Sequence, residues 1–377
     1  MRYCARRRAQ LVHDGIALLA RRLSLPVAAL ALVGAQLALA QGLPASAGAA
    51  SPGAGNGAPA ATERSVSEWL MRMHDASRRR AYIGTYVVSS GAKMESARIW
   101  HICDGVEQVE RIEGLTGTPR STFRRNDQVI TFLPESRVAW SETRESLGLF
   151  PTLLSSVDSS IGQFYSARML GAERVAGFDS DVVQLQPRDR LRYGYRIWSE
   201  KKTGLVVKMQ TLDIDERVLE QAAFSELQLD APVSMQRLTQ MMANTHGYKV
   251  ERPELVKTTA LAEGWELRTL VAGFKPMSCY RRLGVAAKSA ATSESTLQWV
   301  FSDGLASVSL FVEPFDAQRH AAPGSVALGA TQTATRRIAE RGADKSGDWW
   351  LTAVGEVPAS TLSIFVRGVE RRRAAPN

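Results

Sequence analysis

With 377 residues, 47 of them basic and 38 acidic, the chain carries a formal net charge of +9. Six arginines and one aspartate lie in the first 40 residues, so the remainder is only +4. That mild, dispersed excess argues against a nucleic-acid-binding protein. The three cysteines, Cys4, Cys103 and Cys279, are too few and too far apart for a disulfide framework.

The N-terminus reads as an export signal. Arg2, Arg6, Arg7, Arg8, Arg21 and Arg22 precede the apolar run LSLPVAALALVGAQLALA, and Ala38-Leu39-Ala40 has the small-residue spacing of a cleavage site after Ala40. The alternative is an uncleaved membrane anchor, because roughly 18 apolar residues suffice to span a bilayer. The Ala-x-Ala spacing and the tract behind it favour cleavage, so the mature protein is expected to be exported and soluble. Residues 41–62 are low-complexity Ala, Gly, Pro and Ser and read as a disordered linker. Gly53, Gly55 and Gly57 follow no strand and open no helix, so they are not a phosphate loop. Cys4 leaves with the signal, and Cys103 and Cys279 are expected to stay unpaired.

Folded structure begins with a helix. Ser65 and Glu68 have capping-box spacing, and Val66, Trp69, Leu70 and Met73 recur on one helical face. From Tyr82 the period switches to two. Strands are expected over 82–90, 94–102, 106–112, 120–125 and 128–134, separated by Gly, Asn and Asp turn chemistry. Phe150, Leu153, Leu154, Val157, Ile161, Phe164 and Tyr165 then repeat at helical spacing, predicting one or two short helices inserted into the sheet. Strands resume at 181–189, 191–200, 205–214 and 217–229. Within 189–200, Leu191, Tyr193, Tyr195 and Ile197 alternate with Arg190, Arg192 and Arg196, so the first set should face inward and Arg192 and Arg196 should face solvent.

Residues 231–262 lose the alternation and read as an interdomain linker. A smaller unit follows at 263–372, with strands expected at 265–274, 295–302 and 305–315, further segments at 331–340 and 349–356, and a closing helix opened by Pro358. A tight turn at Asp303-Gly304 joins two of these strands. The fold class is α+β: a strongly curved antiparallel sheet plugged by helices over 63–230, then a small antiparallel sheet.

Catalytic chemistry is hard to find. The mature histidines His74, His101, His246 and His320 have no metal-ligand spacing, and no nucleophile elbow or phosphate loop occurs. Ser199 and Lys202 satisfy a Ser-x-x-Lys pattern at a hairpin tip, and Asp213 and Asp215 sit in a turn; both placements favour structural roles. No enzyme, metal or cofactor is expected. The apolar excess leaves two readings open, a simply packed core or a pocket for a hydrophobic ligand formed by Phe132, Trp140, Phe150, Leu153, Leu154, Ile161, Phe164, Tyr193, Tyr195 and Ile197.

Five segments in order carry a resemblance: 118–135, 192–227, 273–283, 301–314 and 354–358. Together they resemble the RseB/MucB family of periplasmic sigma-E regulators over roughly residues 64–370. The resemblance implies a large domain similar to the LolA and LolB lipoprotein carriers, an unclosed barrel, with a small β-rich domain beside it. It further implies binding to the periplasmic part of a RseA/MucA-type anti-sigma factor, shielding it from site-one proteolysis, and release by lipid or lipopolysaccharide acyl chains. Ten buried methylenes at roughly 0.8 kcal/mol each would supply on the order of 8 kcal/mol gross, and association removes much of it. Arg281, Arg282 and Asp303 are expected at the partner surface. A homodimer stays open. A lipid or lipoprotein carrier is the second reading, against which the small C-terminal unit argues.

Overall fold

The computed structural model describes residues 64–143, 159–283, 295–320, 322–339 and 347–372. The signal, the Ala/Gly tract and the segment holding Phe150, Leu153 and Leu154 lie outside the described residues.

Helix α1, Val66–Arg79, starts where the capping box predicts. The Ser65 hydroxyl accepts from the Glu68 N–H at 3.2 Å, while the Glu68 carboxylate accepts from the Ser65 N–H at 2.6 Å. Eleven strands follow: β1 Tyr82–Ser90, β2 Lys93–Cys103, β3 Gln108–Gly114, β4 Ser121–Arg125, β5 Gln128–Leu133, β6 Val138–Thr143, β7 Tyr165–Val175, β8 Phe178–Pro187, β9 Gly194–Glu200, β10 Val206–Leu212 and β11 Val218–Leu229. The rest of the chain gives α2 Met235–Ala243, β12 Lys249–Glu251, β13 Glu254–Lys257, β14 Trp265–Leu267, β15 Lys275–Leu283, β16 Ser295–Ser302, β17 Ser307–Pro314, β18 Ser325–Leu328, β19 Thr331–Ile338, β20 Trp349–Gly355, α3 Ala359–Gly368 and β21 Val369–Arg371.

The large sheet has 12 strands in the order β12-β6-β5-β4-β3-β2-β1-β11-β10-β9-β8-β7. All pairings are antiparallel except β12 with β6. Its two ends do not pair, so the sheet stays unclosed, as expected. Helix α1 covers one face: Val66, Trp69, Leu70 and Met73 share a buried cluster with Val183, Leu185, Tyr195 and Ile197. The small sheet runs β13-β15-β16-β17-β20-β19-β18. Helix α3 closes its core by packing Leu362, Phe365 and Val366 among Phe274, Phe301, Leu310 and Leu351.

Three expectations need correction. Residues 231–262 are not a loose linker: α2 buries Leu238 and Met242, β12 joins the large sheet, and β13 pairs antiparallel with β15 of the small one. The helical spacing through Tyr165 ends early, in a 3₁₀ turn at Ser159–Gln163, and Tyr165 opens an edge strand paired with β8. The strand expected at 265–274 stops at Leu267, because the chain must turn to place Val271 and Phe274 in the core beneath α3. Cys103 and Cys279 are both free thiols, as anticipated.

Leu70 is 1% exposed beneath the sheet, whereas its neighbour Met71 is 49% exposed. Leu70→Ala should lower the unfolding free energy by about 2–5 kcal/mol in urea titrations, while Met71→Ala stays within about 0.5 kcal/mol of wild type. Equal effects would show that α1 is not the plug.

Candidate functional site

Register decides which of the expected pocket residues meet. Directly opposed residues in a sheet share a face. Tyr195 lies opposite Leu185 and Thr211, and Ile197 opposite Val183 and Met209, so both point toward α1. Ile161, at 1% exposure, and the half-buried Phe164 complete this cluster, and Leu305 of the small unit packs against it. Phe132 and Trp140 do not belong. Phe132 opposes Ala139 while Trp140 opposes Thr131, which puts the two aromatics on opposite faces. Phe132 packs instead beneath α2, with its ring edge-to-face on Phe123 at 5.7 Å and on Tyr248 at 5.0 Å.

The alternation read through 189–200 breaks at its start. The chain bends until β9 begins at Gly194, so Arg192 is not bound by strand parity. It is buried, contrary to expectation, whereas Arg196 is half-buried in the strand. The Arg192 side chain, wholly shielded from solvent, donates to the Asp303 carboxylate at 2.8 Å, to the Asp189 carboxylate at 3.0 Å and to the Ala272 carbonyl at 2.6 Å. The Phe164 ring lies 4.5 Å from its guanidinium carbon and Phe274 lies 5.4 Å away. A planar, delocalised cation suits a place that is aromatic on its faces and anionic at its edge.

Asp303, expected at the partner surface, is the other half of this contact. One carboxylate oxygen accepts from Arg192 and from the Tyr165 hydroxyl at 3.3 Å, and the other from the N–H groups of Leu305 and Ala306 at 3.0 and 2.8 Å. Burial pushes its carboxyl above the ordinary range, although all four donors favour the charged form. The turn expected at the partner surface is thus the small unit's anchor in the large sheet. Three more bonds cross the same junction: the Thr361 hydroxyl to the Leu191 carbonyl at 2.9 Å, Gln332 to the Tyr193 hydroxyl at 3.2 Å, and Lys275 to the Ser160 hydroxyl at 3.4 Å. Gly273, at φ +84°, lets the backbone pass here, since a Cβ would come 2.9 Å from the Phe164 ring and 3.0 Å from Arg192.

The remaining candidates separate. Arg281 and Arg282 lie within β15, half-buried, with Arg281 3.7 Å from the Glu263 carboxylate and Arg282 donating to Gln298 at 2.9 Å. Ser199 is fully buried and donates to the Gly204 carbonyl, while Lys202 is exposed, so the pair forms no dyad. Asp213 accepts from the N–H groups of Asp215 and Arg217, which makes it a turn-former. Among the described residues no cluster of His, Cys, Asp or Glu is arranged to hold a metal ion, and no helix is long and apolar enough to cross a membrane. Sequence reasoning missed Arg192 as a buried group, because alternation carries no information where the backbone leaves the strand.

Family models for the MucB/RseB N-terminal domain and the MucB/RseB C-terminal domain match residues 65–242 and 259–370. The chain is 27% identical over 320 residues to the sigma factor AlgU regulatory protein MucB of Pseudomonas aeruginosa, covering 84% of this chain and 94% of that protein. It is 23% identical over 316 residues to the sigma-E factor regulatory protein RseB of Haemophilus influenzae, covering 83% and 93%. A solved complex of Pseudomonas aeruginosa MucA/MucB superposes with a TM-score of 0.61 at 24% identity, over 82% of this chain and 99% of that one. A structure of MucB in complex with MucA(peri) gives 0.59 at 25% identity, again over 82% and 99%.

Removing one partner from a buried pair strands the other's charge, at about 3–5 kcal/mol. Asp303→Asn should therefore destabilise the protein by that order in chemical denaturation. Combining Asp303→Leu with Arg192→Met should cost less than the sum of the two single changes. Additive losses would mean that the two side chains act independently.

Proposed function

The chain belongs to the MucB/RseB family, and from that premise we propose that it is a non-enzymatic, periplasmic regulator that binds the periplasmic domain of a MucA/RseA-type anti-sigma factor. The observation that carries this reading is the extent of the likeness. It runs through both units in order, and two of the matched structures are complexes of MucB with MucA. A lipid carrier would have no use for the small sheet, which here is tied to the large one by a buried ion pair. By shielding the anti-sigma factor from site-one proteolysis, such a regulator would hold the envelope-stress response in check.

Release by lipid belongs to the same proposal. The Tyr195/Ile197 face is filled by α1 together with Ile161 and Phe164. An acyl chain would therefore enter by displacing part of that cluster, and Leu305 and Asp303 would transmit the displacement to the small unit. Arg281 and Arg282, half-open on β15, are proposed to contact acidic or backbone acceptors of the partner.

Tagged mature protein used as bait in its own periplasmic extract should capture an anti-sigma factor, and added lipopolysaccharide should release it. Capture of a lipoprotein in its place would establish the carrier reading. Replacing Arg281 and Arg282 together by Ala should weaken the captured complex about tenfold, or about 1.4 kcal/mol. Unchanged affinity would remove these two residues from the interface.

A further inference from the structure

Two charged stretches that the regulatory reading leaves unused meet at the C-terminal end of α1. Arg72, Asp75 and Arg79 recur at i, i+3 and i+7 beside the buried stripe of the helix, and Arg80 is its C-cap. The turn between β9 and β10, residues 201–205, lies against the same part of α1. At Gly204, φ +89°, a Cβ would come 2.9 Å from the Arg72 side chain. Arg72 ties helix to turn by donating to the Glu200 and Lys201 carbonyls. Between them opens a cleft of about 430 Å³, lined by Arg72, Asp75, Arg79, Arg80, Thr203 and Asp230.

The donors on this wall are only partly used. Arg80 meets both oxygens of Asp230 through Nη1 alone, at 3.1 and 2.9 Å, and Arg79 meets Asp75 through Nη2 alone, at 3.2 Å. Nε and the second Nη of each guanidinium make no bond among the described residues. The two carboxylates are weak competitors, because both pairs are exposed to water. Thr203 accepts from the Leu205 N–H at 3.1 Å and keeps its hydroxyl proton to donate. Arg78, beside Arg79, and Lys201 and Lys202, ahead of Thr203, are exposed and their side chains make no hydrogen bond or ion pair among the described residues. Asp181, 3.9 Å from Arg72, and Glu200 favour the Arg72 cation, yet burial, and then the Arg64 charge, hold it below the ordinary arginine range. Cations at a helix C-terminus answer the negative end of its dipole. That role does not require a cleft into which two guanidinium groups keep donors unspent.

We propose that this cleft binds an oxyanion of the phosphate class, held by the unused N–H groups of Arg79 and Arg80 and by the Thr203 hydroxyl. A planar guanidinium matches two oxygens of a phosphate at once, and two such forks on adjacent residues suit a tetrahedral anion. Free phosphate and the phosphate of a lipid headgroup share this chemistry. Because the walls belong to α1 and to the β9–β10 turn, a bound anion would fasten the covering helix to the sheet. Occupancy would therefore oppose the displacement of α1 by an acyl chain, a consequence that alone rests on the proposed release by lipid.

The test uses the full mature chain and two variants, the double change Arg79→Gln with Arg80→Gln, and Asp230→Asn. At constant ionic strength, about 10 mM inorganic phosphate should raise the Tm of wild type by about 2 °C more than chloride does. Amide exchange should slow in α1 and not in α3. The arginine variant should bind phosphate about tenfold more weakly. Asp230→Asn leaves both guanidinium groups in place and removes a competing carboxylate, so it should bind phosphate more tightly than wild type. This second variant decides the matter even if the first fails to fold. Co-sedimentation with vesicles of phosphatidylcholine, with and without phosphatidic acid, separates the two sources. Capture of wild type by phosphatidic acid, lost in the arginine variant and without any response to free phosphate, assigns the cleft to a headgroup; a response to phosphate alone assigns it to the free ion. Equal responses of wild type and both variants overturn the site. Phosphate binding that leaves α1 exchange unchanged overturns its hold on the helix.

Discussion

A buried arginine is tolerated only when its charge and its donors are all answered, and Arg192 makes the architecture depend on that condition. Its partners come from three places: Asp189 in the same bend, Ala272 in the chain leading to the small sheet, and Asp303 at the β16–β17 turn. None of these is free to move without leaving a desolvated charge behind. The small unit is therefore fastened to the large sheet by one cation, although Arg192 and Asp303 are 111 residues apart in sequence. Aromatic rings of both units sandwich that cation, so packing and electrostatics reinforce each other at one point.

The unclosed sheet needs something to cover its apolar face, and α1 does this with four side chains from a single helical stripe. The Ile161–Phe164 segment covers the neighbouring area, and Phe164 also stacks on Arg192. Plug and latch thus share a residue. Whatever disturbs the covering of the sheet reaches the ion pair through one aromatic ring, a short physical route between the covered face and the junction with the small unit.

The chain between the units behaves in the same economical way. β12 extends the large sheet and β13 extends the small one, so only Arg252 and Pro253 separate two strands that belong to different sheets. Rotation of one unit against the other has to be accommodated there and at the Arg192 junction.

Periodicity made much of this protein legible without coordinates. The Ser65/Glu68 cap, the α1 stripe, most strands of the large sheet, the hairpin at Asp303 and the helix after Pro358 all follow from local spacing, since capping, alternation and turn chemistry act over a few residues. The inward direction of Tyr195 and Ile197 followed for the same reason, and the family resemblance rested on the ordered series of such segments. Tertiary structure alone decided the rest. Phe132 and Trp140 parted because register, a relation between two strands, sets the face each residue takes. The supposed linker became strands because free sheet edges lay within its reach. Arg192, which alternation placed in solvent, and Asp303, expected at the partner surface, went inside because each supplies the opposite charge that makes burying the other tolerable, a condition that no segment can meet alone.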